Sequence, residues 1–220
     1  MKLYGYWRSL ASLRVRIALN LKGVKFEETP IDLLKGQQFA DTYKALNPQS
    51  VLPALILDEG GPPLFQSLAI LEYLDETHPQ PPLLPKDARG RARVRGLALI
   101  SAADGHPLVV PRIRNFLEKE LHVDEAGRNK WLQHWTLKAL EAYESHLASE
   151  RETGRFCHGD APTIADICLA SQVLGATGYF NCDTSGVPGV MRIFGECMNI
   201  DAFDRSQPLK QPDAPRKPAS

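Results

Sequence analysis

The 220-residue sequence contains few cysteines and no excess of charge of either sign. Its four cysteines all lie in the C-terminal half, and none forms a C-x-x-C pair. This spacing favours neither a disulfide framework nor a zinc site, so we expect reduced thiols, no metal and a cytoplasmic location. Lys plus Arg equals Asp plus Glu, at 26 each. Nucleic acids and membrane surfaces favour a basic excess, so we expect neither as a partner.

Long hydrophobic runs are also missing. The apolar stretches around residues 51–57 and 96–103 are too short to cross a bilayer. No apolar segment follows Met1 closely, so we expect no secretory signal peptide. The sequence contains neither a G-x-x-x-x-G-K-[ST] loop nor an H-E-x-x-H helix. A hydrophobic fraction of 43% in 220 residues allows one large globular domain or two smaller ones.

The first third of the chain alternates between strand and helix patterns. Aromatic and β-branched residues predict strands, and apolar positions at helical spacing predict helices. Asp58-Glu59-Gly60-Gly61 indicates a hairpin between the last two strands. The order βαβ, α, ββα predicts a small mixed sheet with helices packed on it. The predicted strands are residues 3–6, 24–31, 54–57 and 64–66, and the predicted helices are 12–21, 37–46 and 67–76.

A proline-rich stretch at residues 78–82 separates this region from a helical one. We predict helices over 88–103 and 124–150, because Trp135, Ala139, Tyr143 and Leu147 form an apolar stripe in the second of them. Thr163 and Asp166 have the spacing of a helix N-cap and its third residue. The predicted organisation is an α/β domain over 1–78, a linker over 79–87, and an all-helical domain with an extended C-terminal tail over 88–220.

Three junctions contain residues suited to chemistry, and each also has a purely structural explanation. Ser9 or Ser12 lies where a helix N-terminus stabilises a thiolate or carboxylate, although spacing alone favours simple capping. Pro53 precedes a strand and could form a cis bond that leaves the backbone before it available to a ligand, although a trans bond is commoner. Gln66 and Ser67 could bind a small carboxylate or merely cap the following helix.

Short segments in the same order along most of the chain carry a family resemblance. Together they resemble the zeta class of glutathione transferases, which includes maleylacetoacetate and maleylpyruvate isomerases. The matching segments are residues 6–9, 14–24, 36–39, 45–48, 52–55, 66–74, 83–85, 159–160, 163–166, 201–203 and 211–213.

The resemblance implies a glutathione transferase fold: a thioredoxin-like N-terminal domain followed by an all-helical C-terminal domain, usually as a homodimer. It also implies an enzyme with glutathione as its cofactor, acting in aromatic amino-acid catabolism. The implied reaction is the cis–trans isomerisation of a maleyl-type keto acid such as maleylacetoacetate. Maleylpyruvate is an alternative substrate. Conjugation or dehalogenation of small electrophiles is an alternative reaction, and a non-catalytic glutathione-binding protein is a third possibility.

The same resemblance implies roles for particular residues in binding glutathione. Ser9 would hydrogen-bond the sulfur, and Gln38 would contact the peptide. Leu52, before a cis Pro53, would pair with the cysteinyl backbone. The pair Gln66-Ser67 would hold the γ-glutamyl carboxylate.

Three further residues have implied roles around the substrate and cofactor. Arg8 and Arg112 resemble cations that bind an acidic substrate, and Arg8 joins Ser9 in the implied catalytic set. His106, in a Gly-His-Pro sequence, would join the residues that bind the cofactor. The structural alternatives are a solvated charge for Arg112 and a core or capping histidine for His106.

The sequence departs from the family pattern at three places. Ala11 replaces a cysteine in the Ser-Ser-Cys-Ser signature, and Val109-Val110 replaces a pair of asparagines. Tyr179 aligns with an arginine, so one cation that would bind substrate is missing. These changes weaken the substrate assignment more than the fold assignment, and the last two favour a conjugating transferase over an isomerase.

Overall fold

A computed structural model describes residues 1–215, which form two compact units. The first contains residues 1–81 together with the chain from Ile200 onwards, and the second contains residues 82–199. The boundary between Pro81 and Pro82 lies inside the expected linker. The C-terminal segment differs from the expectation, because it belongs to the first unit and does not extend the helical one. Residues 216–220 of the predicted tail lie outside the described residues.

A mixed four-stranded sheet forms the centre of the first unit, as the strand pattern predicted. Its strands are β1 (Lys2–Gly5), β2 (Glu27–Pro30), β3 (Ala54–Ile56) and β4 (Leu64–Phe65), in the spatial order β2-β1-β3-β4. Strands β1 and β2 are parallel, whereas β1–β3 and β3–β4 are antiparallel. The carboxyl ends of β1, β2 and β4 and the amino end of β3 therefore share one edge of the sheet.

Helices pack on this sheet, and the longest of them is almost entirely buried. Helix α1 (Leu10–Leu21) has buried residues from Leu10 to Leu19, and it packs against α3 (Ser67–Thr77). The predicted helix over 37–46 is wrong as a single element. It divides into a 3₁₀ turn, Gln37–Phe39, and the short helix α2, Asp41–Lys44. Ala40 between them has extended backbone, with ψ of 142°, and so interrupts the helix.

The C-terminal segment packs against α1. It forms a short helix, Asp201–Asp204, and a 3₁₀ turn, Pro208–Lys210. Phe203 and Ser206 are fully buried there. Asn20 Nδ2 donates to Ser206 Oγ at 2.7 Å, which fastens the segment to the end of α1.

The described part of the second unit is helical and has no strand, only an isolated bridge between Thr153 and Gly159. The predicted helix over 88–103 continues after α4 as a π-helical turn, Ile100–Gly105. No helix in the described part of the chain is both long and apolar enough to span a membrane. The helices are α4 (Ala88–Leu99), α5 (Pro111–Lys119), α6 (Glu125–Ser149), α7 (Ile164–Gly178) and α8 (Pro188–Met198).

The structure of the helical unit contains the predicted N-cap of α7 and most of the predicted apolar stripe of α6. Thr163 and Asp166 form the predicted capping box at the start of α7, whose residues are buried over most of its length. Along α6, Ala139, Tyr143 and Leu147 are buried, and Trp135 is only half-buried. The stripe is thus confirmed at three of its four positions.

Candidate functional site

The residues singled out in the first unit meet at the shared edge of the sheet. Ser9 follows β1, and Gln38 lies on the connection that follows β2. Leu52 and Pro53 immediately precede β3, and the pair Gln66-Ser67 immediately follows β4. The strand order and directions therefore gather four separate connections into one candidate site. The N-termini of α1 and α3 lie at the same edge, and both favour an anionic ligand.

Ser9 is the N-cap of α1, so the capping explanation holds. Its backbone is extended, with φ −75° and ψ 115°, and its Oγ accepts a hydrogen bond from the backbone N–H of Ser12 at 3.2 Å. The backbone N–H of Ser9 donates to Tyr6 O at 2.9 Å. A hydroxyl has one donor and two acceptor positions. Capping uses one acceptor position of Ser9 and leaves the proton to donate to a thiolate, so the two roles are compatible.

Gln66 has an unusual backbone that turns the chain from β4 into α3. Its φ of 66° and ψ of 116° are rare for a residue with a side chain, and such conformations concentrate at functional sites. The side chain of Gln66 donates from Nε2 to Gln49 Oε1 at 3.0 Å. Gln66 as a whole is exposed.

Ser67 is the first residue of α3, and its side chain is buried beside a cation. Its Oγ accepts a hydrogen bond from Arg14 Nη1 at 3.1 Å. The hydroxyl proton of Ser67 is not used by that bond. Together with the first N–H groups of α3, it offers donors to a carboxylate, and the nearby guanidinium adds positive charge.

Gln38 is buried, and its carbonyl oxygen Oε1 has no hydrogen-bond partner among the described residues. An unpartnered buried acceptor costs roughly 1–3 kcal/mol. A ligand with an N–H group, such as a peptide amide, would remove that cost.

The chain before β3 is held in place by two side chains. Tyr43 Oη and Asn47 Nδ2 both donate to the carbonyl of Val51, at 2.7 and 2.8 Å. Burial raises the pKa of Tyr43 to about 12, so its hydroxyl remains a donor over the physiological range. The Leu52–Pro53 bond is cis, as expected. Leu52 lies outside the β1–β3 pairing, which begins at Ala54 on this strand.

The donor and acceptor set fits glutathione. A hydroxyl at one helix N-terminus suits the thiolate, and a second helix N-terminus with Ser67 and Arg14 suits a carboxylate. Between them, the orphaned oxygen of Gln38 and the backbone of Leu52 suit an extended peptide.

The other residues with roles or departures implied by the resemblance lie on loops and at helix ends. Arg8 is half-buried on the loop between β1 and α1. His106 begins the 3₁₀ turn His106–Leu108, and Arg112 is an exposed residue in the first turn of α5. His106 and Arg112 belong to the second unit, whereas Ser9 belongs to the first. Tyr179 is the C-cap of α7.

Sequence reasoning missed two buried arginines on α1. Arg14 and Arg16 are 2% and 1% exposed, although the helix over residues 12–21 was predicted from its apolar positions alone. A signal was present, because Arg14 and Arg16 are the only charged residues in a helix that is otherwise almost wholly apolar. Long charged side chains are rarely buried unless they are paired.

Comparison with known families and proteins gives a consistent result. Residues 1–76 match the family described as the N-terminal domain of glutathione S-transferase. Maleylpyruvate isomerase from a Ralstonia species is 46% identical over 214 residues, covering 97% of this chain and all of the relative. A probable maleylacetoacetate isomerase from Vibrio cholerae is 40% identical, covering 96% of this chain and 97% of the relative.

Solved structures agree over the same extent. A holo structure of maleylpyruvate isomerase, described as a bacterial zeta-class glutathione transferase, matches with a TM-score of 0.93 and 46% identity. Maleylacetoacetate isomerase from Methylobacterium extorquens AM1, with bound malonate and glutathione, matches with a TM-score of 0.95 and 48% identity. Each comparison covers 98% of this chain and all of the other.

Proposed function

The chain belongs to the zeta class of glutathione transferases, and we propose that it catalyses the glutathione-dependent cis–trans isomerisation of a maleyl-type keto acid such as maleylacetoacetate. It is an enzyme with glutathione as its cofactor, and relatives at 40–46% identity carry the names of such isomerases. The observation that carries the proposal is the hydroxyl of Ser9 at the N-terminus of α1, with a proton still available to donate.

Ser9 sets the ionisation of the cofactor in this proposal. When bound, glutathione supplies a thiolate that adds reversibly to the cis double bond and so permits rotation about it. Donation from Ser9 Oγ, together with the N-terminal dipole of α1, favours the charged thiolate over the thiol. Both effects lower the pKa of the bound thiol and increase its ionised fraction near neutral pH.

The other residues of the sheet edge hold the cofactor. Ser67 and the main chain after Gln66 bind the γ-glutamyl carboxylate, beside the charge of Arg14. Gln38 accepts from the peptide, and the backbone of Leu52 before Pro53 pairs with the cysteinyl residue. His106 is proposed as a further cofactor-binding residue from the family resemblance.

Arg8 and Arg112 are proposed to bind the acidic substrate. Guanidinium groups grip carboxylates with two parallel hydrogen bonds and remain charged at all working pH values. Arg8 also stabilises the negative charge that develops on the substrate carbonyl oxygen, which is why it is placed in the catalytic set with Ser9.

Two observations favour alternative activities. The Ralstonia relative, at 46% identity, carries the name maleylpyruvate isomerase, which favours maleylpyruvate as the substrate. Val109-Val110 and Tyr179 replace family polar residues, which favours a transferase that conjugates or dehalogenates small electrophiles. Ala11 removes a thiol near Ser9, so no protein cysteine at that position can take part.

We propose that the enzyme is a cytoplasmic homodimer. The homodimer follows from the family resemblance. All four cysteines are free, and three of them are buried, as suits a reducing compartment. Light scattering coupled to size-exclusion chromatography would give about twice the 24.4 kDa chain mass if the dimer forms.

The decisive experiment measures activity on a panel of substrates. Maleylacetoacetate and maleylpyruvate would be followed by loss of their absorbance, with and without glutathione, beside a chloronitroarene conjugation assay. Glutathione-dependent loss of a maleyl substrate supports the proposal. Conjugation without isomerisation would assign the transferase function instead. Bound glutathione without activity in either assay would indicate a binding protein.

A further inference from the structure

Arg16 lies at the centre of a buried network that ends on the loop carrying Ser9. Its Nη2 donates to the carbonyl of Tyr6 at 2.8 Å and more weakly to that of Trp7 at 3.4 Å. Its Nη1 donates to Ser206 O at 3.0 Å, and its Nε lies 3.3 Å from Glu28 Oε2. One buried guanidinium therefore joins β2, the β1–α1 loop and the C-terminal segment.

The C-terminal segment also holds this loop directly. Asp213 Oδ2 accepts a hydrogen bond from the backbone N–H of Trp7 at 2.9 Å, across a sequence separation of 206 residues. Trp7 is thus fixed at its N–H by Asp213 and contacted at its carbonyl by Arg16. The carbonyl of Tyr6, which Arg16 also contacts, accepts the N–H of Ser9 at 2.9 Å. These bonds leave the backbone before Ser9 little freedom to shift.

The charges in this network influence one another. Burial raises the pKa of Glu28, the guanidinium of Arg16 lowers it, and the carboxylate of Asp213 raises it. Glu28 also occupies the space where Gly5 lacks a side chain, because a Cβ at Gly5 would collide with Glu28 Oε1. The carboxylate of Glu28 is therefore confined between the strand and Arg16. Burying an arginine is costly unless it is paired and hydrogen-bonded. Here Nη2 of Arg16 donates to the main-chain carbonyls of Tyr6 and Trp7, shortly before Ser9, and Nη1 donates to that of Ser206.

We propose that the C-terminal segment, residues 200–215, positions Ser9 for its cofactor, with Asp213 and Arg16 as the positioning residues. This inference rests on the proposed role of Ser9. Neither residue needs to touch the cofactor or substrate, because both act through the backbone of the loop. Displacements of about 1 Å in a catalytic group can cost about 100-fold in rate. A small movement of the loop is therefore enough to matter.

The test uses full-length variants and titrates the thiol of bound glutathione. The thiolate absorbs in the ultraviolet, so its fraction can be followed against pH without substrate. We expect Asp213→Ala to lower the thiolate fraction near neutral pH by about threefold to tenfold, which corresponds to about 0.7–1.4 kcal/mol. Glutathione affinity is expected to change less, because Gln38, Gln66 and Ser67 are untouched. The rate at saturating substrate should fall with the thiolate fraction and recover at higher pH.

Matched variants separate positioning from general loss of stability. Asp213→Asn keeps an oxygen that can accept from Trp7 and should restore most of the thiolate fraction. Asp201→Ala removes an exposed carboxylate from the same segment, where it pairs with Arg205 at 3.4 Å, and should behave as wild type. Asp213→Glu keeps the charge but moves it by one methylene. Its glutathione thiol should titrate between the values for wild type and Asp213→Ala. If Asp213→Ala does not fold, the titration of Asp213→Glu tests the positioning role of Asp213.

The outcomes distinguish this inference from the proposed function. If Ser9→Ala shifts the thiol titration and neither Asp213→Ala nor Asp213→Glu does, the positioning role is overturned and the role of Ser9 stands. If wild type and Ser9→Ala titrate alike, the role of Ser9 fails, and this inference fails with it. A lower melting temperature of Asp213→Ala with an unchanged titration would also overturn the inference, because the contact would then be merely structural.

Discussion

Arg14 and Ser67 are 53 residues apart, yet Arg14 Nη1 donates to Ser67 Oγ at 3.1 Å and joins α1 to the first residue of α3. Both side chains are buried, so the bond forms away from bulk water. It places a fixed positive charge beside a helix N-terminus, where each favours an anionic group. The arrangement supports the proposal that a carboxylate binds at this point of the sheet edge.

Replacing Ser67 with alanine is expected to weaken glutathione binding by roughly 1–3 kcal/mol, the range for losing a hydrogen bond to a charged group. Isothermal titration calorimetry on wild type and Ser67→Ala measures the difference. Ser171→Ala is a suitable control, because Ser171 is a buried serine of the second unit that donates to Cys168 O. Equal affinities for wild type and Ser67→Ala would remove Ser67 from the site.

Replacing Ser9 with alanine should raise the pKa of the bound glutathione thiol and lower turnover near neutral pH. Turnover should recover in part as the pH rises, because thiolate then forms without the hydroxyl. The measurement is a pH–rate profile beside a thiol titration. Ser12→Ala provides the control, since the Ser12 side chain has no hydrogen-bond partner among the described residues. The substitution also keeps the backbone N–H of residue 12, which donates to Ser9 Oγ. A Ser9→Ala profile that overlays wild type would be incompatible with the proposed mechanism.

Replacing Arg8 with alanine should have a different signature. We expect a higher KM for the acidic substrate and a lower kcat, with little change in the thiol titration, because Arg8 binds the substrate carboxylate and stabilises the charge that develops on the substrate. Arg8→Lys keeps the charge without the planar fork and should recover only part of the loss. If Arg8→Ala shifts the thiol titration as much as Ser9→Ala does, Arg8 acts on the cofactor and the assignment is wrong.

Asp166 is expected to be a large contributor to the stability of the second unit. Its Oδ1 accepts from Cys157 N at 2.7 Å, and its Oδ2 accepts from both the N–H and the hydroxyl of Thr163 at 2.8 Å. Asp166→Ala loses the cap and leaves buried donors unpaired, so we expect a destabilisation of about 2–4 kcal/mol in denaturant unfolding. Asp183→Ala, which removes an exposed carboxylate bonded to Ser185 N, should cost under about 1 kcal/mol. If Asp166→Ala and Asp183→Ala lost similar free energies of unfolding, the burial of Asp166 would not be the source of its contribution.

Glu150 should make the stability of the second unit depend on pH. Its hydrogen bond with His146 and its ion pair with Arg93 lower the pKa of its carboxyl group. A carboxyl with a lower pKa in the folded state stabilises the protein above its unfolded pKa of about 4.3, and the benefit disappears as the pH falls through the folded value. Wild type should therefore be more stable than Glu150→Gln at pH 7, and the two should converge in acid. A constant difference from pH 7 to pH 3 would show that Glu150 acts by packing alone.

Local features of the chain were predictable because they depend on neighbours in sequence. The helix predicted over 67–76 is Ser67–Thr77, and the one predicted over 124–150 is Glu125–Ser149. Helix caps and apolar periodicity are properties of a few consecutive residues, so helices predicted from them are also found in the folded protein. The prediction of one helix over residues 37–46 was wrong, because local composition does not determine where a helix is interrupted. The composition of this segment suits a helix, but the extended backbone of Ala40 interrupts it.

The sequence alone placed Ser9 and Ser67 at strand–helix junctions and Leu52 just before a strand, and the family resemblance assigned all three to one cofactor. Only the tertiary structure, through the order β2-β1-β3-β4, gathers those junctions at one edge of the sheet. The same holds for the contact from Asp213 to Trp7, which joins residues 206 positions apart. Such contacts form only when packing offsets the entropy of closing a long loop, and no local pattern encodes that balance.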